Sequence, residues 1–591
     1  MRMKKLIISI LSLLMIASSS GCSQQPQENP EMIKAFDQFI EKDFIETMES
    51  DYTTMHVYLE NPQEYGIDTS KVEVSLGSHP DKISEEDRAD FQETIDEFKQ
   101  FKRDELTPSQ QETYDICKYM IEISKASMDE KYDYYQNLFS SMGGIHYQIP
   151  VLFSDYALRN EQDVKDIIIL VKDVKPYLEA CLNYTKTQAK EGLLMLDFEE
   201  IISYCETLLA NRNQSSILLS LYNSIDALQL EKGNTYKQEL LNAFETSFFP
   251  AYENIITVFK DLQQNAKNNE KGLCAFPNGK AYYEIILKQN TGGDKSIKEL
   301  KKMLNDAYEQ AISDMQQAVF KDYVAALDFI ENGILPETDF DSYEQILKAN
   351  QKMMQTEFPK VENLQYNIRD ISKDIASDSG IAAYFNIPPI DHSGKKELRV
   401  NPNGADLKSL STFQTVSHEG FPGHMYQYAY MYENLDSPWR KTIANCNAYS
   451  EGYAVYAQYE AYDYLEDMNQ TILEINKANE IASYCIIMLS DIGIHYEGWD
   501  LAQFQQFLTS MGFTLSEDDA KTQYKQLWNN PAAFQSYYVG YLEIMELKEK
   551  AQNTLKDQFD ELKFHEALLS SGSAPFKVVE DNINDYINQY K

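Results

Sequence analysis

Three side chains able to bind a metal or move a proton fall within seven positions of this chain: His418, Glu419 and His424, in the string His-Glu-Gly-Phe-Pro-Gly-His. Neutral imidazole and carboxylate are donors that zinc accepts, and a catalytic zinc takes three protein ligands and leaves a position for water. In His-Glu-x-x-His the two histidines share one helical face and the glutamate between them is the general base. Here the histidines are six apart. On an unbroken helix six residues turn the second ring roughly 240° from the first, so the rings could not meet at one ion. Pro422 and Gly423 change that expectation. Proline removes a backbone donor and glycine accepts unusual dihedrals, so the two extra residues can loop out and return His424 to the ion. The competing possibility is that the helix ends at Pro422 and His424 caps whatever follows.

A third ligand is needed. Glu451 opens a second helical run 27 residues after His424, and the small Gly452 beside it suits a close approach of two helices. A surface glutamate in a first helical turn is the alternative, since helix dipoles favour one there. Asp491 and His495 stand four apart; they could face the site, with His495 as ligand or oxyanion donor, or form a satisfied buried pair. A tyrosine hydroxyl is a suitable second oxyanion donor, and Ser536-Tyr537-Tyr538 lies in a tyrosine-rich helical run. With 41 tyrosines in the chain, composition alone selects none of them.

The elements that would position these groups read as mainly helical. Apolar residues recur at helical spacing over 32–60, 91–127, 163–190, 198–212 and 296–327. One β-prone pair stands out upstream of the histidines: residues 381–389, then 397–401, joined by the turn-like Asp391-His392-Ser393-Gly394. A short sheet beside a metal-binding helix can hold an extended peptide as an added strand. At the N-terminus, Arg2, Lys4 and Lys5 precede an apolar stretch from Leu6 to Ile16, then small residues and Cys22. That order matches a bacterial lipoprotein signal with Cys22 as the lipidated residue, though Ser19 replaces the usual leucine. The expected organisation is a signal over 1–22, a polar tether over 23–31, a helical N-terminal region over 32–290 and a catalytic region over 291–591. The six other cysteines are scattered with no C-x-x-C spacing, against a thiolate metal site. The net charge of −40 disfavours nucleic acid as a partner and basic docking on anionic lipid.

Taken in order, HEGFPGH, SEGYAVYAQYE, DIGIHYEGW and SYYVGYLEIMELKEKA resemble the bacterial family catalogued as domain of unknown function 885. An upstream signature, Phe276 to Tyr283 with Thr291 and Glu299, and a C-terminal one, Phe564-His565-Glu566 with Gly572 to Pro575, extend the likeness over most of the mature chain. The family is similar to deep-cleft, mostly helical zincin metallopeptidases such as the thimet oligopeptidases and angiotensin-converting enzyme. The resemblance implies His418, His424 and Glu451 as zinc ligands and Glu419 as general base. It also implies His495 and Tyr537 facing the cleft as oxyanion donors, and Tyr384 on the substrate-side strand; Arg399 and Asn401 on the next segment are assigned to substrate with it. Two positions depart from the pattern: Ile487 where the family usually has arginine, and Tyr538 where it often has lysine. If that arginine meets a substrate carboxylate, substrate preference differs here.

The resulting expectation is a mainly α, zincin-like metallohydrolase with a small β element beside its active-site helix. It would be anchored outside the cytoplasm by its lipid and cleave short peptides with Zn2+. Imidazole and carboxylate also suit other divalent metals. The rival readings are a hydrolase of non-peptide amides or cell-wall peptides, and a non-enzymatic peptide- or glycan-binding lipoprotein.

Overall fold

The computed structural model describes residues 28–332, 337–371, 382–402 and 406–591. The expected signal and Cys22 lie outside them. The described chain is mainly helical with one small sheet. No helix among the described residues is long and apolar enough to cross a membrane. The first helix, Pro30–Ser50, begins inside the segment expected as tether, because Asn29 caps it: its Oδ1 accepts from the backbone N–H of Glu31 and Met32. The run expected over 32–60 breaks at Asp51, whose carboxylate caps a second helix, Tyr52–Tyr58. The run over 91–127 likewise divides into Glu85–Phe98 and Pro108–Ser127, the latter closed by a Thr107–Gln110 capping box.

The 31-residue helix Glu161–Glu191 runs through Pro176. Proline cannot donate to the carbonyl four residues back, so the Lys172 carbonyl needs another donor. Ser247 supplies it: its Oγ donates to Lys172 O at 2.8 Å and accepts from Lys175 N–H at 3.0 Å. Around this helix Val164, Ile167, Leu170, Val171, Val174 and Leu178 are fully buried in an apolar core built mostly from the first 262 residues. A second core holds most of the apolar residues after Leu273, and Trp439, Ala444, Ala574 and Val578 cross back into the first.

The sheet has three strands, β1 (Tyr366–Asp370), β2 (Ala383–Asn386) and β3 (Lys396–Val400), in the order β1-β3-β2. The β2–β3 pair is antiparallel and joins the two segments expected to be extended; β1 is parallel to β3. β1 was not foreseen, since it lies at an edge and its alternation, Tyr366 and Ile368 against Asn367 and Arg369, spans only four residues. Period-two alternation buries Ala383, Phe385, Leu398 and Val400 on one face and sends Tyr384, Asn386, Glu397 and Arg399 to the other. The β2–β3 connection is tied to the N-terminal helices. Ile390 N–H donates to Tyr58 O, and the Asp391 carboxylate accepts from the N–H groups of Glu60 and Asn61, each at 2.8 Å.

Ser247→Ala removes the side-chain donor to the Lys172 carbonyl and the acceptor of the Lys175 N–H in a part-buried setting. It is expected to destabilise the protein by about 1–3 kcal/mol, read as a lower denaturant midpoint with unchanged slope.

Candidate metal centre

The helix Leu410–Glu419 opens on a Ser409 cap and stops at Gly420. A new helix, His424–Asn434, starts at once. The segment is therefore two helices joined by four residues, Gly420 to Gly423, which loop out as expected: Gly423 N–H donates to Ser417 O at 3.0 Å and Tyr426 N–H to Gly420 O at 3.3 Å, each bond spanning six residues in place of four. Buried Asn350 pins that loop: its amide donates to Ser417 Oγ and to Phe421 O, both at 2.8 Å. Glycine is required on both sides of it. A Cβ on Gly423 would lie 1.8 Å from His418 O, and one on Gly420 would lie 2.3 Å from Leu347 Cδ2. His424 thus begins a new helix and also returns to His418, with ring centroids 4.9 Å apart and planes at 89°.

Glu451 arrives on the helix Asn447–Glu460, which crosses the helix Gln535–Leu555 backbone against backbone. A Cβ on Gly452 would sit 2.3 Å from the Gly540 carbonyl carbon, and one on Gly540 would sit 1.9 Å from Ala448 O. The crossing brings Glu451 Oε2 to 3.4 Å from His418 Nε2 and 3.5 Å from His424 Nε2. Oε2 is buried and makes no hydrogen bond. Their ligand atoms lie within 4.8 Å of one another.

Both histidines are turned by a glutamine. His418 Nδ1 meets Gln458 Oε1 at 3.0 Å, and His424 Nδ1 meets Gln427 Oε1 at 3.2 Å. An amide oxygen only accepts, so each Nδ1 carries the proton and each Nε2 lone pair points to the shared position. Burial acts to strip a proton from His424, but Glu451, with Glu419 behind it, outweighs burial and raises the group to about 9. Burial acts to raise the Glu451 carboxyl, and His418 and His424 more than offset this, holding it well below the usual carboxylate range. The geometry calls for one positive charge among the three donors. A His-His-Glu set with a buried carboxylate oxygen free of hydrogen bonds and two oriented Nε2 lone pairs fits a divalent metal.

Glu419 projects beside this set, its Oε1 3.9 Å from His418 Nε2, while Oε2 accepts from Phe385 N–H at 2.9 Å. The N–H belongs to edge strand β2, so the sheet holds the carboxylate in place. The side chains of His418, Glu419 and Glu451 remain 13%, 17% and 18% exposed, so the site is shielded yet reachable. Tyr537 stacks near His418, centroids 6.4 Å apart, and the negative charge of Glu451, with burial, pushes its phenol up. A phenol held protonated can donate.

His495 is elsewhere. It is fully buried; its Nδ1 accepts from Leu273 N–H at 3.2 Å and its Nε2 donates to Leu527 O at 3.1 Å. Both ring nitrogens are committed, and burial lowers its pKa, so the expected ligand or oxyanion role is corrected to a structural one. Its neighbour Asp491 collects Tyr283 OH at 2.5 Å and the Ala532 N–H and Gln535 side chain at 3.0 Å each. The Asp-x-Gly-x-His motif therefore fixes the start of the helix that carries Tyr537. Tyr384 and Arg399 are also not brought to the metal donors: both point to the outer sheet face, where Tyr384 OH donates to Asp155 Oδ2 at 2.7 Å. Asn401 follows β3, its N–H on Ala382 O. At the departing positions, Tyr538 stacks on Tyr484 at 3.9 Å and bonds Tyr459 OH, while Ile487 packs against the second core.

A second group, Glu460, Glu561 and His565, also has metal-ligand composition. Lys548 already supplies its cation, with Nζ 2.9 Å from Glu460 and 2.6 Å from Glu561. Sequence reading missed Gln427 and Gln458, although a signal exists: Gln427 lies one turn after His424 and Gln458 two turns after Glu451, hence on the same faces.

Gly452→Ala forces the two helices apart; a stability loss of about 1–3 kcal/mol, together with weaker zinc uptake, is expected in thermal melts and chelator competition. Zinc added to chelator-treated protein should displace the proton that Glu451 favours on His424. Calorimetry in buffers of different ionisation enthalpy should show about one proton released per zinc at pH 7–8. The release should fade as pH passes His424's value of about 9.

The profile of a family described as bacterial proteins of unknown function, domain of unknown function 885, matches residues 64–583. No curated protein matches. Among solved structures, a candidate lipoprotein from Colwellia psychrerythraea is similar, with TM-score 0.78, 17% identity, and coverage of 95% of this chain and 99% of that one. A candidate lipoprotein of unknown function from Shewanella oneidensis is similar with TM-score 0.64, 16% identity, and coverage of 92% and 99%. These likenesses concern the fold. The profile match takes in the loop between the two histidines, the helix of Glu451 and every signature segment around them, and this chain belongs to the domain of unknown function 885 family.

Proposed function

We propose that the protein is a zinc-dependent hydrolase of short peptides, anchored outside the cytoplasm through Cys22. One observation carries the reading: Glu451 Oε2, buried and without a hydrogen bond, faces two imidazole Nε2 atoms whose Nδ1 atoms are held by glutamines. His418, His424 and Glu451 would hold the ion. When bound, zinc polarises a carbonyl and makes a water acidic enough to deprotonate near neutral pH. Glu419, fixed by Phe385 N–H, takes the proton as the water oxygen attacks the peptide carbonyl carbon. Tyr537 donates to the oxyanion that forms. As the C–N bond breaks, Glu419 passes its proton to the departing nitrogen, leaving a carboxylic acid and an amine. The outer edge of β2, beside Glu419, suits an extended peptide laid along it as a further strand. The lipoprotein-like order of residues 1–22, and the lipoprotein descriptions of the two similar structures, support the location.

Purified protein is expected to hold one zinc per chain by elemental analysis, and His418→Ala, His424→Ala or Glu451→Gln to lose it. Glu419→Gln should keep the metal and lose about 10²–10⁴ in kcat on peptides. Unchanged turnover in Glu419→Gln, or wild-type protein that takes up no metal, would sink the reading; full metal with no turnover of any peptide would favour a binding protein.

A further inference from the structure

The outer face of the sheet bears two polar rungs set by strand register. Asn367, Glu397 and Asn386 form one, and Arg369, Arg399 and Tyr384 the other. Like charges directly opposite one another on neighbouring strands are destabilising, yet Arg369 and Arg399 are direct neighbours. A single carboxylate reconciles them: Glu397 Oε1 lies 2.8 Å from Arg369 Nε and its Oε2 3.2 Å from Arg399 Nη2. Asp155, from an N-terminal helix, lies 3.3 Å from the same Arg399 nitrogen. Arg399 Nε is buried without a hydrogen bond.

This face forms one wall of a cavity of about 550 Å³, closed on the other side by the segment around Asp155 and Arg159. Of the eight arginines in the chain, Arg159, Arg369 and Arg399 line it, with Lys395 at its rim. Arg159 and Lys395 are in no ion pair with a carboxylate among the described residues. Four cations and three carboxylates, Glu60, Asp155 and Glu397, line it, and Asp163 lies behind Arg159, its Oδ2 2.7 Å from the Arg159 backbone N–H. Guanidinium forks match a planar carboxylate, and Lys395 adds a cation to them.

We infer that this cavity binds the carboxylate of a peptide, held by Arg369 and Arg399 with Lys395, and that the favoured source is a free C-terminus. Asn386 lines the cavity and Tyr384 shares its face of β2, while Phe385 between them presents its N–H to Glu419. A peptide seated here is therefore one strand away from the proposed base, which favours cutting near the C-terminal end. Only this link to cleavage rests on the hydrolase reading; the binding does not.

The test uses the full-length, zinc-loaded Glu419→Gln protein and calorimetry with three probes: pentaalanine, its C-terminal amide, and an amidated alanine pentapeptide with one internal glutamate. Pentaalanine should bind at least about tenfold tighter than its amide. Adding Arg369→Gln and Lys395→Gln, both exposed positions, should abolish that preference, while Arg212→Gln, which does not line the cavity and pairs with Glu253, should not. Tight binding of the glutamate probe would assign the carboxylate to a side chain and keep the cavity as its site. Equal affinity for all three probes, no binding, or a preference that survives the double change overturns the inference. Whether wild-type protein hydrolyses any of these peptides tests the hydrolase reading separately.

Discussion

The fold around the site is organised by a close approach that only glycine allows. Two helices meet backbone to backbone at Gly452 and Gly540, and a third chain segment loops out between Gly420 and Gly423. At Gly423, Gly452 and Gly540 a backbone atom stands where a Cβ would be, so each sets the position of the adjacent side chain with little slack. Glu451 precedes one glycine and His424 follows another. The convergence of three donors within a few ångströms is a product of these backbone approaches. Two imidazoles and a carboxylate brought this close out of water need a positive charge among them, and a metal ion meets that need with all three ligands.

The buried polar groups outside the site read as devices for holding these helices in place. Asp491 and His495 satisfy donors and acceptors from three segments and leave no atom free. Ser573, in the C-terminal signature, accepts from Cys446 N–H at 2.9 Å and meets Ser450 Oγ at 3.1 Å, pinning the start of the Glu451 helix. His565 donates from Nδ1 to Glu357 O and accepts from Tyr456 OH, which itself accepts from Lys548. Removing one partner from such a network strands a buried charge or dipole and costs more than the bond itself contributes. The signature motifs thus mark scaffold pins as well as chemistry.

That distinction sets how far the site was legible in the sequence. Helical class followed from apolar spacing, and the β2–β3 pair from its β-prone residues and turn. The approach of Glu451 to the two histidines was readable because Gly452 announced a tight helix crossing. His495 was misplaced because a buried satisfied histidine and a cleft histidine have the same one-letter context; only its partners, Leu273 and Leu527, separate them, and both are far away in sequence. β1 escaped because its alternation covers only four residues, Tyr366 to Arg369, at an edge of the sheet. The break at Pro422 and Gly423, and its return of His424 to His418, were readable, but the shape of the loop was not, since it depends on Asn350, which comes from another helix altogether.

Strand β2 joins the remaining parts. Alternation forces its neighbours Tyr384 and Asn386 away from the core face that Phe385 joins, while the Phe385 N–H at the strand edge reaches Glu419. A carboxylate next to two imidazoles and a second carboxylate needs a fixed donor to keep it from swinging onto the histidines. A backbone N–H in a paired strand is the stiffest donor available, because moving it means moving the sheet. That sheet is itself tied to the N-terminal helices through Asp391 and Asp155. The position of Glu419 therefore depends on contacts from the opposite half of the molecule, and the two halves cannot shift relative to each other without moving the carboxylate.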